Sequence, residues 1–198
     1  MIIIDDDKIC RIDYLTHYFL KETSPFLSLT RLTYNDALIL SNNLKTLPGR
    51  AFRRFNNAER YIKERIITEE WLRNEFINLG GKPKAKNPYY FVLGESVYLE
   101  EAYEGNFSTI KISLDEIDEL ELSFTYPDSM ATRFILYETD EVYFNPEYHG
   151  KVFNKKGIYD IINKYGLPEE QWRYDPKRRF DYFIEVQVWN EQYIKEYL

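Results

Sequence analysis

The hydrophobic residues of this chain repeat with two different periods, one in each half of the sequence. Up to about residue 80 they recur every three or four residues, a spacing typical of amphipathic helices. Beyond that point they mostly alternate with polar residues, which is typical of strands that bury one face. Helices followed by strands predict an α+β fold, in which a helical N-terminal half packs on a mainly antiparallel β-sheet from the C-terminal half.

The length of 198 residues suits one sizeable domain or two small ones. The sequence contains no internal repeat, low-complexity segment or long linker. We therefore predict a single domain over residues 1–198, with a helical part at about 1–80 and a sheet-rich part at about 81–198. Gly80-Gly81 is the one plausible place to divide it.

Three helices are predicted in the first half. Their starts are marked, in order, by the aspartates at 5–7, by Thr33, and by Asn56 or Asn57. The first helix carries its apolar residues at Ile9, Ile12, Leu15 and Phe19 and ends before Pro25. Thr68 is a candidate point of division in the third helix, which we expect to end at Gly80-Gly81 through a glycine cap.

The second half predicts strands over residues 89–93, 107–114, 119–126, 132–137 and 182–189, with a further short one at 142–144. We expect 119–126 and 132–137 to form a hairpin through a type I turn at Tyr126-Pro127-Asp128-Ser129. Strict alternation in 119–126 predicts one wet face, with Glu119 and Glu121, and one buried face. A helix is predicted from Asn154 to Gly166, and a short tail helix over 191–198.

The two halves also differ in charge. Residues 44–86 hold eleven Lys/Arg and five Asp/Glu, a charge of +6, whereas residues 95–147 hold two and fourteen, a charge of −12. We expect these segments to form separate basic and acidic surfaces, which would favour a binding role because opposite potentials accelerate encounter. The net charge of −7 argues against nucleic acid as the main ligand.

Composition limits the compartment and the chemistry. Cys10 is the single cysteine, so an internal disulfide and thiolate metal clusters are excluded. We expect no signal peptide and no membrane segment, and hence a reduced, cytoplasmic protein. The 18 Tyr and 13 Phe indicate either a core edged by tyrosines or a tyrosine-lined recognition surface.

Two charged clusters are the candidate binding sites. The acidic one comprises Glu119, Glu121, Glu138 and Asp140, which would approach each other across the predicted hairpin if its register allowed. Converging carboxylates suit Mg²⁺ or Ca²⁺, but a solvated sheet face is the favoured interpretation, so we predict no metal and no cofactor. The basic cluster comprises Arg50, Arg53 and Arg54, whose guanidinium groups suit phosphate, an acidic partner within the chain, or simple solvation.

Glu185 and Gln187 share one face of the apolar strand predicted at 182–189. The spacing is similar to that of the metal-binding strand in restriction-type nucleases, although Gln187 stands where those enzymes carry a lysine. The upstream Asp181 is also too close in sequence for the separate strand that the motif requires. An amphipathic strand is therefore the favoured interpretation.

No nucleophile elbow, phosphate loop or dinucleotide fingerprint is present, so the sequence favours a non-catalytic role over an enzyme. The predicted function is protein binding, of the inhibitor or immunity type, through an acidic, tyrosine-rich surface that engages a basic protein partner. The alternative is a metal-dependent or phosphate-ligand enzyme that uses the acidic cluster or the Arg50–Arg54 patch. A homo-oligomer, in which unlike halves of two copies meet, is a third possibility.

Overall fold

The computed structural model describes residues 12–198, which form a mixed α+β fold as the sequence predicts. The strands are β1 (Tyr14–Leu20), β2 (Tyr89–Leu93), β3 (Phe107–Ser113), β4 (Leu122–Thr125), β5 (Val152–Phe153) and β6 (Glu185–Val188). The α-helices are α1 (Tyr34–Leu44), α2 (Ala58–Asn78), α3 (Val97–Ala102), α4 (Ser129–Ile135) and α5 (Lys155–Tyr165). Short 3₁₀ helices connect them, the longest at Arg50–Asn57.

The six strands form one antiparallel sheet in the order β3-β1-β2-β6-β4-β5. β1 lies where the sequence predicts the first helix, so that prediction is wrong over the described residues, and its part before residue 12 lies outside them. The apolar spacing of Leu15 and Phe19 fits a helix, but this aromatic and β-branched stretch also fits a strand. Pairing with both β2 and β3 decides between the two.

The two faces of the sheet differ in chemistry. One is apolar, and its fully buried Phe91, Phe124 and Val186 pack in a cluster with Ile158 of α5. Alternate residues form the other face: Thr16 and Tyr18 on β1, Tyr90 and Val92 on β2, Glu185 and Gln187 on β6, and Ser123 and Thr125 on β4. We call this second side the polar face, and α1, α2 and the Arg50–Asn57 helix lie over it.

The two long helices of the first half are confirmed. The Thr33 hydroxyl accepts the backbone N–H of Asp36 at 3.2 Å and begins α1, and Asn57 caps α2 in the same way. α2 runs unbroken through Thr68, so the predicted division there is wrong. The Thr68 hydroxyl donates to the carbonyl of Glu64 at 2.8 Å, which keeps this polar side chain satisfied inside the helix. Gly80, at φ +90°, ends the helix in a conformation that favours glycine.

The predicted hairpin at 119–137 is wrong. Only Leu122–Thr125 is a strand, and β6 and β5 occupy its two edges, which leaves no edge for a strand at 132–137. Those residues fall mostly in α4, because Asp128 accepts the backbone N–H of Ala131 at 3.1 Å and caps a helix instead of entering a type I turn. The Tyr126-Pro127 peptide bond is cis. Glu121 of the predicted wet face is 3% exposed, and Ser123 and Thr125, which alternate in line with it, are fully buried, so that prediction is wrong as well.

The remaining elements agree with the sequence more closely. α5 begins at Lys155 after the Asn154 cap and ends at Gly166, as predicted. The last strand is shorter than predicted, and residues 142–144 form turns instead of a strand. The tail consists of two 3₁₀ helices, Glu191–Tyr193 and Lys195–Tyr197. Among residues 12–198, none of the helices combines the length and the apolar character that a membrane span needs.

His17 of β1 ties the sheet to the loop that follows it. Its Nδ1 lies 2.8 Å from the carbonyl oxygen of Tyr90, and its Nε2 accepts the backbone N–H of Phe26 at 3.0 Å. The ring also stacks on Phe26 with centroids 4.0 Å apart. Only the neutral imidazole satisfies both hydrogen bonds, and burial lowers the pKa of His17 from 6.5 to about 4.

We expect the His17 imidazole to make the fold sensitive to acid. The unfolded chain takes up this proton near pH 6.5 and the folded chain only near pH 4. The stabilisation is therefore complete above pH 6.5 and is lost as the pH falls towards 4, by an amount of the order of 2 kcal/mol for this half-buried group. Urea unfolding of the wild type and of His17→Phe between pH 4 and pH 7 measures this loss of stability. Parallel pH profiles for the two proteins would contradict the assignment.

Candidate functional site

A cavity of about 460 Å³ opens on the polar face of the sheet. Its floor comes from β1, β2 and β6, and its walls come from α1, α2, the Arg50–Asn57 helix and the loop at 23–29. Most of the lining is apolar or aromatic, and the charged side chains on it are Arg54, Arg65, Asp128 and Glu185. A concave, mostly apolar site with a few converging polar groups is the usual form of a small-molecule site.

A network of buried polar side chains holds the floor in place. Gln187 lies between Ser123 and Tyr90 in the strand register, and its amide oxygen accepts the Ser123 hydroxyl at 2.8 Å. Its amide nitrogen donates to Thr125 at 3.3 Å and to Glu185 Oε1 at 3.1 Å. The floor is thus hydrogen-bonded across two strands, and the Glu185 carboxylate is oriented by one of these bonds.

Arg65 of α2 is fixed over this floor. Its guanidinium stacks on the ring of Tyr90 at 3.9 Å from the centroid and lies 3.5 Å from Glu69. The Tyr90 hydroxyl donates to Glu69 at 3.0 Å, and Asn87 donates to the same carboxylate at 2.6 Å. Glu69 is 2% exposed, so this pairing supplies the partners that a buried carboxylate needs. Arg65 also interacts with the charge of Glu185 across the cavity.

Arg54 lines the open side of the cavity and remains accessible to water. Its guanidinium carbon lies 5.0 Å from the centroid of Phe55 and 5.8 Å from that of Tyr61. Within residues 12–198 it forms no ion pair with a carboxylate, in contrast to Arg65. Arg54 and Arg65 both line the cavity, so two cations face the same space.

The other two arginines of the predicted basic cluster point elsewhere. Arg50 stacks on Tyr98 at 4.3 Å and lies 3.7 Å from Glu101, so it has an acidic partner within the chain. Arg53 is exposed and forms no ion pair among residues 12–198. Of the three, Arg54 alone lines the cavity.

The structure separates the four carboxylates of the predicted acidic cluster. Glu119 is exposed, 3.4 Å from Lys155, whereas Glu121 is 3% exposed and binds Lys84, Asn190 and Tyr193 at 2.5–2.9 Å. Glu138 and Asp140 lie in the exposed loop after α4. The expected approach of these residues across a hairpin is wrong because the hairpin is absent. No group of three His, Cys, Asp or Glu in the described part of the chain is placed to hold a metal ion.

The two charged segments pack against each other, α2 on α4 and the Arg50–Asn57 helix on α3, but few of their charges pair. Basic residues of 44–86 reach the acidic segment in the pairs Arg50–Glu101 and Lys84–Glu121. Other carboxylates of the acidic segment form ion pairs with Lys155, Lys164 and Arg173, which lie outside both segments. One pairs with Lys111, which belongs to the acidic segment itself. The charged segments therefore do not cancel by pairing along their length, although several carboxylates have partners within the chain.

Asp128 contributes the second carboxylate of the cavity. It caps α4 and lines the wall next to the end of β4. Burial, together with the nearby charge of Glu185, raises its pKa to about 6, although the backbone N–H of Ala131 and the charge of Arg65 oppose the shift. A carboxyl group with a raised pKa beside a second carboxylate is typical of functional sites.

Sequence reasoning missed Arg65, Asp128 and Tyr90 and assigned Glu185 to a plain amphipathic strand. The one available signal was the pair of polar residues Glu185 and Gln187 in an otherwise apolar strand, which predicts a polar face but not the helices above it. Comparison with known proteins adds nothing to this assignment: no family model matches the chain, and no curated protein or solved structure matches it significantly.

We expect Asp128→Asn to stabilise the protein at neutral pH. The folded chain holds this proton up to about pH 6 and the unfolded chain only to about 3.8, so the wild type loses stability as the pH rises through this range. The amide keeps the cap and carries no charge. The variant should gain about 1–2 kcal/mol above pH 7 and nothing below pH 4, measured by chemical denaturation.

Asp118 provides the matched control, because it caps a 3₁₀ helix in the same way but is exposed. Asp118→Asn should show no such pH-dependent gain. A gain in the free energy of unfolding at pH 8 that is equal for both variants would rule out a buried charge at Asp128. A gain for Asp128→Asn that persists at pH 4 would do the same.

Proposed function

We propose that this protein binds a small organic anion in the cavity on the polar face, with Arg54 as the residue that holds the anionic group. The observation that carries the proposal is an arginine without a carboxylate partner in the described chain, at the open side of an aromatic-walled cavity. This is the phosphate-ligand alternative that the sequence suggests for the Arg50–Arg54 patch, now confined to one of its residues.

The arrangement of charges supports an anion at this end of the cavity. Glu69 and Glu185 both interact with Arg65, so its charge is largely compensated inside the protein. Arg54 has no such compensation among residues 12–198, and its neighbours Tyr61 and Tyr103 offer hydroxyl groups beside it. A planar guanidinium recognises phosphate or carboxylate oxygens through paired hydrogen bonds, and nearby hydroxyls complete such a site.

Phenyl phosphate is a direct probe of this proposal, since it joins an anion to one ring. We expect isothermal titration calorimetry to detect binding to the wild type, and Arg54→Gln to weaken it by about 10- to 100-fold, the effect of losing a charge-assisted hydrogen bond. Arg53→Gln is the matched control, in the same 3₁₀ helix but outside the cavity, and should bind like the wild type. Equal affinities for the two variants, or no binding to the wild type, would overturn the proposal.

A second function, protein binding, is favoured by the loop at 136–142. Its side chains Tyr137 and Val142 are 75% and 61% exposed, and they flank Glu138, Asp140 and Glu141. These three carboxylates form no ion pair among residues 12–198, and exposed apolar groups next to them suit a partner that is both apolar and basic. We propose that this loop is the contact surface of a cytoplasmic binding module of the inhibitor or immunity type, as the sequence predicts for its acidic, tyrosine-rich part.

Substitutions in this loop test the second function. We expect the wild type to capture a basic protein from cell extract at low salt. The double variant Tyr137→Ser, Asp140→Lys should capture at least tenfold less of that protein. Tyr174→Ser is the control, because Tyr174 is 73% exposed outside the loop. No captured protein, or equal capture by all variants, would contradict the proposal. Salt-dependent self-association of the purified chain in sizing experiments would instead identify a second copy as the partner.

A further inference from the structure

We infer that the ligand of the cavity is a nucleotide, in which a hydroxylated sugar links a phosphate to an aromatic base. The inference rests on the proposed anion site at Arg54 and goes beyond it by assigning the rest of the cavity. Three parts of the lining carry it: the cationic opening, a floor with a carboxylate oxygen that accepts no hydrogen bond from the described residues, and an aromatic wall.

The acidic floor calls for a ligand that donates hydrogen bonds. Glu185 is 7% exposed and accepts one hydrogen bond, on Oε1 from Gln187, among the described residues. A carboxylate can accept about four, so Glu185 Oε2 is an acceptor without a donor on the cavity floor. Asp128 adds a second carboxyl group to the lining of the same cavity. The hydroxyl groups of a sugar are donors that suit carboxyl groups lining one cavity.

The aromatic wall offers surface and no hydrogen-bonding groups. Phe52 and Phe55 of the Arg50–Asn57 helix pack with Tyr18 and Val92 on the polar face and line the cavity next to Arg54. A planar group of a ligand can pack against such rings without a polar partner on the protein.

Size and charge limit the alternatives. The volume of about 460 Å³ lies within the range of small-molecule sites and is generous for an isolated phosphate. A simple amine would satisfy Glu185 but would leave Arg54 without an anion and would face the repulsion of Arg65. A ligand with an anion at one end, hydroxyl donors next to it and a planar apolar group satisfies all three parts at once.

Adenosine 5′-monophosphate, its 2′-deoxy analogue, adenosine and phenyl phosphate separate these contributions by calorimetry. We expect the ribonucleotide to bind at least tenfold more tightly than phenyl phosphate, the deoxy analogue and adenosine. Glu185→Gln should reduce the affinity for the ribonucleotide at least tenfold while changing that for phenyl phosphate less than twofold. Glu119→Gln, outside the cavity and exposed, is the control and should change neither. Circular dichroism and thermal melting establish that each variant is folded.

The outcomes distinguish the two proposals. If all phosphates bind alike and Glu185→Gln changes none of them, the nucleotide assignment is overturned while the anion site stands. If Glu185→Gln does not fold, comparison of the ribonucleotide with its deoxy analogue on the wild type decides, and equal affinities overturn the assignment. If an alkyl diamine binds and no phosphate does, both proposals are overturned.

Discussion

The structure depends on the hydrogen bonds that join polar side chains across the middle of the sheet. Ser123, Thr125, Glu185 and Gln187 occupy positions on two central strands where most sheets carry apolar residues, and each is at most 7% exposed. Unpaired, such groups would cost several kcal/mol each. Their mutual hydrogen bonds, with the Trp189 indole donating to Ser123 at 2.8 Å, offset that cost and fix their orientation. The polar face is thereby rigid, which a binding site requires.

This polar face explains why a cavity exists. On the apolar side, side chains such as Phe124 and Ile158 fill the space between the sheet and α5. On the polar side, α2 contacts the sheet through Arg65 stacked on Tyr90 and, further along, through Phe76 against Trp189. The remaining space is bounded by rings and by the charged ends of long side chains, and it stays open. Asp128 there carries an unfavourable charge at neutral pH, because burial raises its pKa.

The sequence predicts α1, α2 and α5 because their caps are local. Thr33, Asn57 and Asn154 each accept a backbone N–H three residues on, as their positions indicate. The sequence predicts a helix in place of β1 and a turn and strand in place of α4. Both predictions are wrong because the spacings in 14–20 and 129–135 fit a helix as well as a strand, and only pairing across the sheet decides between them. The cavity could not be predicted either. Alternation in 182–189 separates the two faces of a strand but does not reveal that α2 covers the polar one.

Mapping of backbone amide shifts by nuclear magnetic resonance tests the central claim, that the polar face of the sheet is a ligand site. Titration of the labelled protein with adenosine 5′-monophosphate should give saturable shifts concentrated in β2, β6 and the Arg50–Asn57 helix, the elements that line the cavity. Saturable shifts confined to the loop at 136–142, or none at any concentration up to several times that of the protein, would contradict the account.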